Sequence, residues 1–122
     1  MFNKVLLGFP LIFSLQALAA PVQMADSPEG EILTNTVGMS LYVFDKDKAG
    51  ISNCNGTCAD NWPPLAATSD DETDGDYGIV IRADGSLQWS YKDQPLYLWK
   101  EDKLPGDISG DGKFDVWHLA KP

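Results

Sequence analysis

Two cysteines and a single histidine stand among eighteen acidic residues, and they carry most of the chemistry this chain can offer. Cys54 and Cys58 lie in Ser52-Asn53-Cys54-Asn55-Gly56-Thr57-Cys58, a C-x3-C spacing rich in turn formers. In an oxidising compartment an even pair this close reads as a disulfide. Closing so short a loop stabilises by about 2 kcal/mol on the chain-entropy model. Covalent haem attachment needs C-x-x-C-H, zinc needs four ligands, and a thiol oxidoreductase uses C-x-x-C at a helix start. None of these fits as well.

A second signal is ionic. Asp107-Ile108-Ser109-Gly110-Asp111-Gly112-Lys113-Phe114-Asp115 places oxygen side chains at positions one, three, five and nine, with Gly at six. That is how a calcium loop of the EF-hand kind begins. Asp107, Ser109, Asp111 and Asp115 are thus candidate ligands of a weak calcium site, against the plainer reading of a polar turn held by its own Asp side chains. Position twelve is His118 where the bidentate Glu belongs, and the flanking segments read as strands. His118 is also the one side chain whose ordinary pKa suits proton transfer near neutrality, with Asp115 three residues before it. No Gly-x-Ser-x-Gly or comparable nucleophile setting accompanies it, so the expectation is a protein that is not an enzyme and has no cofactor beyond that calcium.

The most specific feature is a repeat. Leu41-Tyr42-Val43-Phe44-Asp45-Lys46-Asp47-Lys48 corresponds to Leu96-Tyr97-Leu98-Trp99-Lys100-Glu101-Asp102-Lys103. One offset of 55 carries Tyr42 onto Tyr97, Phe44 onto Trp99, Asp47 onto Asp102, Asp60 onto Asp115 and Trp62 onto Trp117. Two copies of a strand, turn, loop and Asp-x-Trp unit about a pseudo-twofold axis are expected. Alternation along a strand puts Tyr42 with Phe44 on one face and Leu41 with Val43 on the other, and likewise in the second copy. A domain this small needs most of its aromatics inside, so burial of both faces is expected over an open aromatic platform for a ligand. Asp47 and Asp102 follow their strands and are expected to cap turns.

The pattern Tyr-x-aromatic-x-x-Asp, twice, resembles a bacterial family of predicted lipoproteins described by that motif, also called the secreted repeat of unknown function. Cys54-Asn55-Gly56-Thr57-Cys58-Ala59-Asp60-Asn61-Trp62-Pro63-Pro64-Leu65 is similar to its cysteine block, and Pro95-Leu96-Tyr97, Pro105-Gly106-Asp107 and Trp117-His118 to its second half. The resemblance implies export and a repeat architecture, with no activity to transfer. No cysteine stands where a lipid would be attached, so anchoring by lipid does not carry over.

The elements that must position these residues are short strands. Glu31 to Val37 and Met39 to Phe44 read as a hairpin broken at Gly38. Gly78 to Arg82 and Leu87 to Tyr91 flank the turn Ala83-Asp84-Gly85. Pro95 to Lys100 and Phe114 to Leu119 complete six strands, and Ala59 to Trp62 suggests one helical turn stopped by Pro63-Pro64. Thr68 to Asp76 carries five acids in nine positions and no large apolar side chain, the composition of a solvated loop. The expected fold is mainly β: a small antiparallel sheet domain of two pseudo-symmetric repeats, about 38–65 and 93–120, within one domain over 31–122. Residues 20–30 are expected to be an N-terminal linker.

Residues 1–19 read as a signal peptide: Lys4, then an apolar run from Val5 to Leu18, then Ala17-Leu18-Ala19 ahead of a cut before Ala20. The run falls short of the roughly 20 residues a spanning helix needs. Nine basic against eighteen acidic residues give a net charge of −9, and loss of Lys4 makes it −10. Such a surface repels phosphate backbones, which excludes nucleic acid and anionic membranes as partners. The sequence thus points to a periplasmic or secreted binding or structural module of the envelope, with an envelope protein or small ligand as partner. A cation-binding or redox-linked accessory protein is the alternative.

Overall fold

The computed structural model describes residues 20–122, and the expected signal peptide lies outside them. Within them the chain forms eight short strands and one helical turn. Strand β1 (Gln23–Ser27) pairs antiparallel with β2 (Gly30–Thr34), so residues expected to be a linker are a hairpin. Ser27 closes it: its hydroxyl donates to the Gly30 carbonyl and accepts from Glu29 N–H. Strand β3 (Tyr42–Phe44) is followed by the cysteine loop and helix α1 (Thr57–Asn61), then β4 (Ala66–Ala67). Beyond the exposed acidic loop come β5 (Tyr77–Ile81), β6 (Leu87–Tyr91), β7 (Gln94–Pro95) and β8 (Trp117–Leu119). The expected strand over Phe114 to Leu119 is shortened because Lys113–Asp115 make a 3₁₀ turn, with Phe114 and Asp115 at positive φ.

The two halves are built alike and close each other. Antiparallel β5–β6 answers β1–β2, and each hairpin is followed by a Tyr-bearing segment. In the first half Leu41 N–H donates to Leu33 O (3.0 Å), Leu33 N–H to Ala120 O (2.9 Å) and Ala120 N–H to Leu41 O (2.8 Å). The second half repeats this ring with Leu96, Trp89 and Leu65 at 3.0, 2.8 and 2.9 Å. Ala120 is the end of the second repeat, and Leu65 the end of the first. The closing segments are therefore exchanged: β8 lies on β3, while β4 lies on β6 and Pro64 bridges Tyr97. The axis passes where Tyr42 and Tyr97 exchange both backbone hydrogen bonds, at 2.8 and 2.9 Å.

Both faces of the Tyr segments are buried, in two clusters. Leu41, Val43 and Leu96 join Leu33, Leu65, Trp89 and Tyr91 in one. Tyr42, Tyr97, Trp62 and Trp117 form the other with Ile32, Cys54 and Leu119, and Phe44 and Trp99 pack partly buried against it. No helix among the described residues is long and apolar enough to cross a membrane.

Candidate functional site

The aromatic cluster is an ordered column. Phe44 stacks on Trp117 at 4.2 Å, Trp117 on Trp62 at 3.9 Å, and Trp62 on Trp99 at 4.1 Å between ring centroids. Tyr42 meets Trp62 edge-on at 5.4 Å, and Tyr97 meets Trp117 edge-on at 5.1 Å. Offset stacks and T-shaped contacts of this kind add about 0.5–1.5 kcal/mol each beyond area burial. The repeat positions Tyr42, Phe44, Trp62, Tyr97, Trp99 and Trp117 are thus all brought together. The Lys113 ammonium lies 5.6 Å from the centre of the Trp99 ring. The indole N–H groups of Trp89 and Trp99 are buried without a hydrogen-bond partner among the described residues.

Each tyrosine hydroxyl reaches an aspartate of the other repeat. Tyr42 donates to Asp102 Oδ2 at 2.7 Å, and Tyr97 donates to Asp47 Oδ2 at 2.7 Å. The two repeat aspartates therefore serve the opposite copy, beyond the turn-capping expected of them. Asp102, 7% exposed, also accepts from the backbone N–H and hydroxyl of Ser109, and Gly110 N–H donates to the Tyr42 oxygen at 3.1 Å. Asp47 accepts Asn53 N–H through its second oxygen. Burial pushes both phenols far above their usual range, with the neighbouring carboxylates adding to the shift. Burial also raises the Asp47 carboxyl, overriding the opposing hydrogen bonds from Asn53 and Tyr97 and the Arg82 charge.

Sequence reasoning missed Arg82, which ends a strand next to a turn and so reads as a surface residue. It is 6% exposed. Its guanidinium donates to Ser52 Oγ (3.0 Å), Gln88 Oε1 (2.8 Å) and the Cys54 carbonyl (2.6 Å). Because Tyr97 donates to Asp47, the Ser52 hydroxyl donates to Tyr97 at 2.6 Å and accepts from Arg82. The Cys54–Cys58 disulfide, with Cα atoms 5.2 Å apart, closes the loop that this network anchors. The only hint in the sequence was Gln88, a polar residue between apolar neighbours in a central strand.

The Asp107 loop takes a different form from the calcium loop its spacing suggests. Asp107 accepts the N–H groups of Lys103 and Leu104, Ser109 donates to Asp102, and Asp111 accepts Leu119 N–H. Asp115 is exposed on the left-handed turn. Asp107 and Asp111 face separate backbone donors while Ser109 faces an acceptor, and no group of three His, Cys, Asp or Glu side chains among the described residues is placed to hold a metal. The two donors hold Asp107 below the usual carboxylate range. His118 Nε2 pairs with Asp45 at 2.7 Å on the surface, away from Asp115 as a partner.

A cleft of about 250 Å³ opens beside the Phe44 end of the column. Phe44, Asp45, Asp47 and Lys48 line one side, and the Lys92-Asp93 turn with Gln94 and Pro95 the other. That turn joins β6 to β7 with both central residues at positive φ, 48° and 68°.

A family model described as a secreted repeat of unknown function matches the chain twice, over residues 23–66 and 78–121. Each match begins at a hairpin and ends in a closing segment, so the repeats are longer than the expected 38–65 and 93–120. No curated protein and no solved structure matches the chain. With two copies covering most of its length, each completed by the other, the chain belongs to the family of the secreted repeat of unknown function.

Proposed function

We propose that this is an exported, non-catalytic binding module of the bacterial envelope, and that the cleft beside Phe44 is its recognition site. One observation carries the reading. A two-residue hairpin turn with both φ values positive favours Asn-Gly, and an ordinary side chain there costs about 1–2 kcal/mol. Here the positions are Lys92 and Asp93, and both line the cleft. Of the two left-handed pairs, this one with Lys92 at its first position is the one that lines a cleft, and strain retained beside a cavity supports a binding role.

The lining offers cations at Lys48 and Lys92, carboxylates at Asp45 and Asp93, and an apolar wall at Phe44 and Pro95. A cavity slightly below the roughly 300 Å³ where common ligand pockets begin takes a molecule of amino-acid size. A small zwitterion with an apolar side chain suits it. Supporting export are Lys4, the apolar run and the Ala17-Leu18-Ala19 site, which predict a mature chain beginning at Ala20.

The test is isothermal titration of the exported protein with free amino acids and dipeptides, beside the Lys92→Asn, Asp93→Gly double variant. The wild type should bind a subset of these probes. The variant should melt at a higher temperature and bind none. Absence of heat with every probe overturns the reading, and so does unchanged binding in the variant.

A further inference from the structure

The aromatic column and its two carboxylates ask for more than packing. Phe and Leu would fill the same space, whereas a carboxylate buried beside a phenol must be compensated for lost hydration. Asp102 is buried among neutral donors only, and the one ion pair among the described residues is His118 with Asp45. Tryptophan and tyrosine are also the side chains most readily oxidised by one electron, and a phenol loses its proton when it is oxidised. A carboxylate 2.7 Å from the hydroxyl is placed to receive it.

We propose that Trp99, Trp62 and the Tyr42–Asp102 pair form a one-electron relay that reduces an anionic one-electron oxidant at the protein surface. This does not depend on the cleft. Trp99 is partly buried and forms the outer end of the column, while Trp62 and Trp117 are 3% and 2% exposed. At the opposite end the repeat places Phe44, which resists oxidation, so electrons leave through Trp99. Lys113 above that ring disfavours positive charge there and drives the hole inward. Lys100 follows Trp99 in the chain, and the Lys103 ammonium is held 3.0 Å from the Lys100 carbonyl. On a chain of net charge −9 the Lys113 ammonium over Trp99 is the cation placed to draw an anion to this ring.

The steps balance. One electron passes from Trp99 to the oxidant, leaving an indole radical cation. Trp62, stacked at 4.1 Å, returns an electron to Trp99, and Tyr42 returns one to Trp62 across their edge contact. As Tyr42 gives up its electron, the phenolic proton moves to Asp102. The net change is a neutral tyrosyl radical, a protonated Asp102 and a reduced oxidant. Trp117, Tyr97 and Asp47 repeat the arrangement one stack further in.

The test mixes the full exported protein rapidly with hexachloroiridate(IV), follows loss of the oxidant's absorbance, and freezes samples for electron paramagnetic resonance. A neutral tyrosyl signal is expected, carried over to Tyr97 or lost in Tyr42→Phe and absent in the Tyr42→Phe, Tyr97→Phe double variant. Trp99→Phe, a change at the partly exposed end, should slow oxidant consumption several-fold while the protein keeps a cooperative urea unfolding transition. The first transfer from Trp99 is reversible and is drawn forward by the proton-coupled step at Tyr42, so the wild-type rate should fall in deuterium oxide. Persistence of the signal in the double variant, or its loss in Tyr77→Phe or Tyr91→Phe, places oxidation elsewhere and overturns the relay. An unchanged rate in Trp99→Phe does the same. Should the double variant fail to fold, the Trp99→Phe rate and the isotope effect decide the matter.

Discussion

Replacing Tyr42 by Phe removes one oxygen and strands two partners. Asp102 Oδ2 loses the phenol at 2.7 Å, and Gly110 N–H loses its acceptor at 3.1 Å. Asp102 keeps Ser109 on its other oxygen. A hydrogen bond to a charged group is worth about 1.5–3 kcal/mol, and an orphaned buried N–H costs about 1–3 more. The expected loss is therefore ~4 kcal/mol. Tyr97→Phe is the matched control on the other side of the pseudo-twofold axis. There Asp47 keeps Asn53 N–H and lines the cleft, where water replaces the phenol, and Ser52 keeps Arg82 as donor while its hydroxyl turns to the Cys54 carbonyl 3.5 Å away. That loss should be ~1.5 kcal/mol. In urea, with a slope of about 2 kcal/mol/M, the midpoints should fall by about 2 M and about 0.7 M. Non-reducing equilibrium unfolding reads both. Equal shifts, or a larger one for Tyr97→Phe, refute the claim that the depth of the carboxylate sets the ranking.

Other outcomes test separate parts of the structure. Gly110→Ala would place a Cβ 2.9 Å from two atoms of the Trp62 ring and 3.0 Å from Tyr42 Cε2; these rings are wedged by the column, so a loss of roughly 1–3 kcal/mol and an altered near-ultraviolet dichroism are expected. Arg82→Met leaves Gln88, the Cys54 carbonyl and Ser52 without their donor and should cost about 2–4 kcal/mol by thermal or urea unfolding; a neutral result would mean those acceptors find water. Asp47 has its carboxyl raised by burial, so the folded state binds its proton first. Wild-type stability measured against Asp47→Asn should therefore decline as pH rises from the ordinary Asp value through the raised one, then level off. A difference that grows with pH contradicts this.

How much of this was legible in the sequence depends on the residue. The offset of 55 identified which side chains are equivalent, and the C-x3-C spacing identified the loop that is closed. Equivalence does not say whether Tyr42 meets Asp47 or Asp102. That choice depends on the exchange of closing segments, a tertiary fact with no local signal. The calcium-like spacing of the Asp107 loop meets a related limit. Oxygen positions along a chain resemble a ligand shell only if the backbone curls around one point. Here Asp107 is turned to Lys103 and Leu104, and Asp111 to Leu119. Residues 20–30 read as a linker, yet 23–27 are a strand and Pro28-Glu29 a two-residue turn that returns the chain at Gly30 into its partner. Arg82 was hidden because propensity sees a strand end, not the carbonyls waiting opposite it.

The exchange of closing segments also sets an order of events. A chain delivered across a membrane from its N-terminus presents β1, β2, β3 and the cysteine loop first, yet β3 meets Tyr97 on one edge and gains its paired strand on the other only when Trp117–Leu119 arrives. The hydrogen-bond ring of Leu33 and Leu41 likewise waits for Ala120. Until then the first half carries an open strand edge and unburied aromatic rings, the features that attract chaperones or other chains. What can form early is local: the Ser27–Gly30 hairpin and the Cys54–Cys58 bridge, four positions apart. The second half differs: its ring of Leu65, Trp89 and Leu96 takes its closing segment from chain already delivered. A ribosome or translocon that stalls short of residue 117 therefore leaves the first half open beside a second whose backbone ring has all its parts.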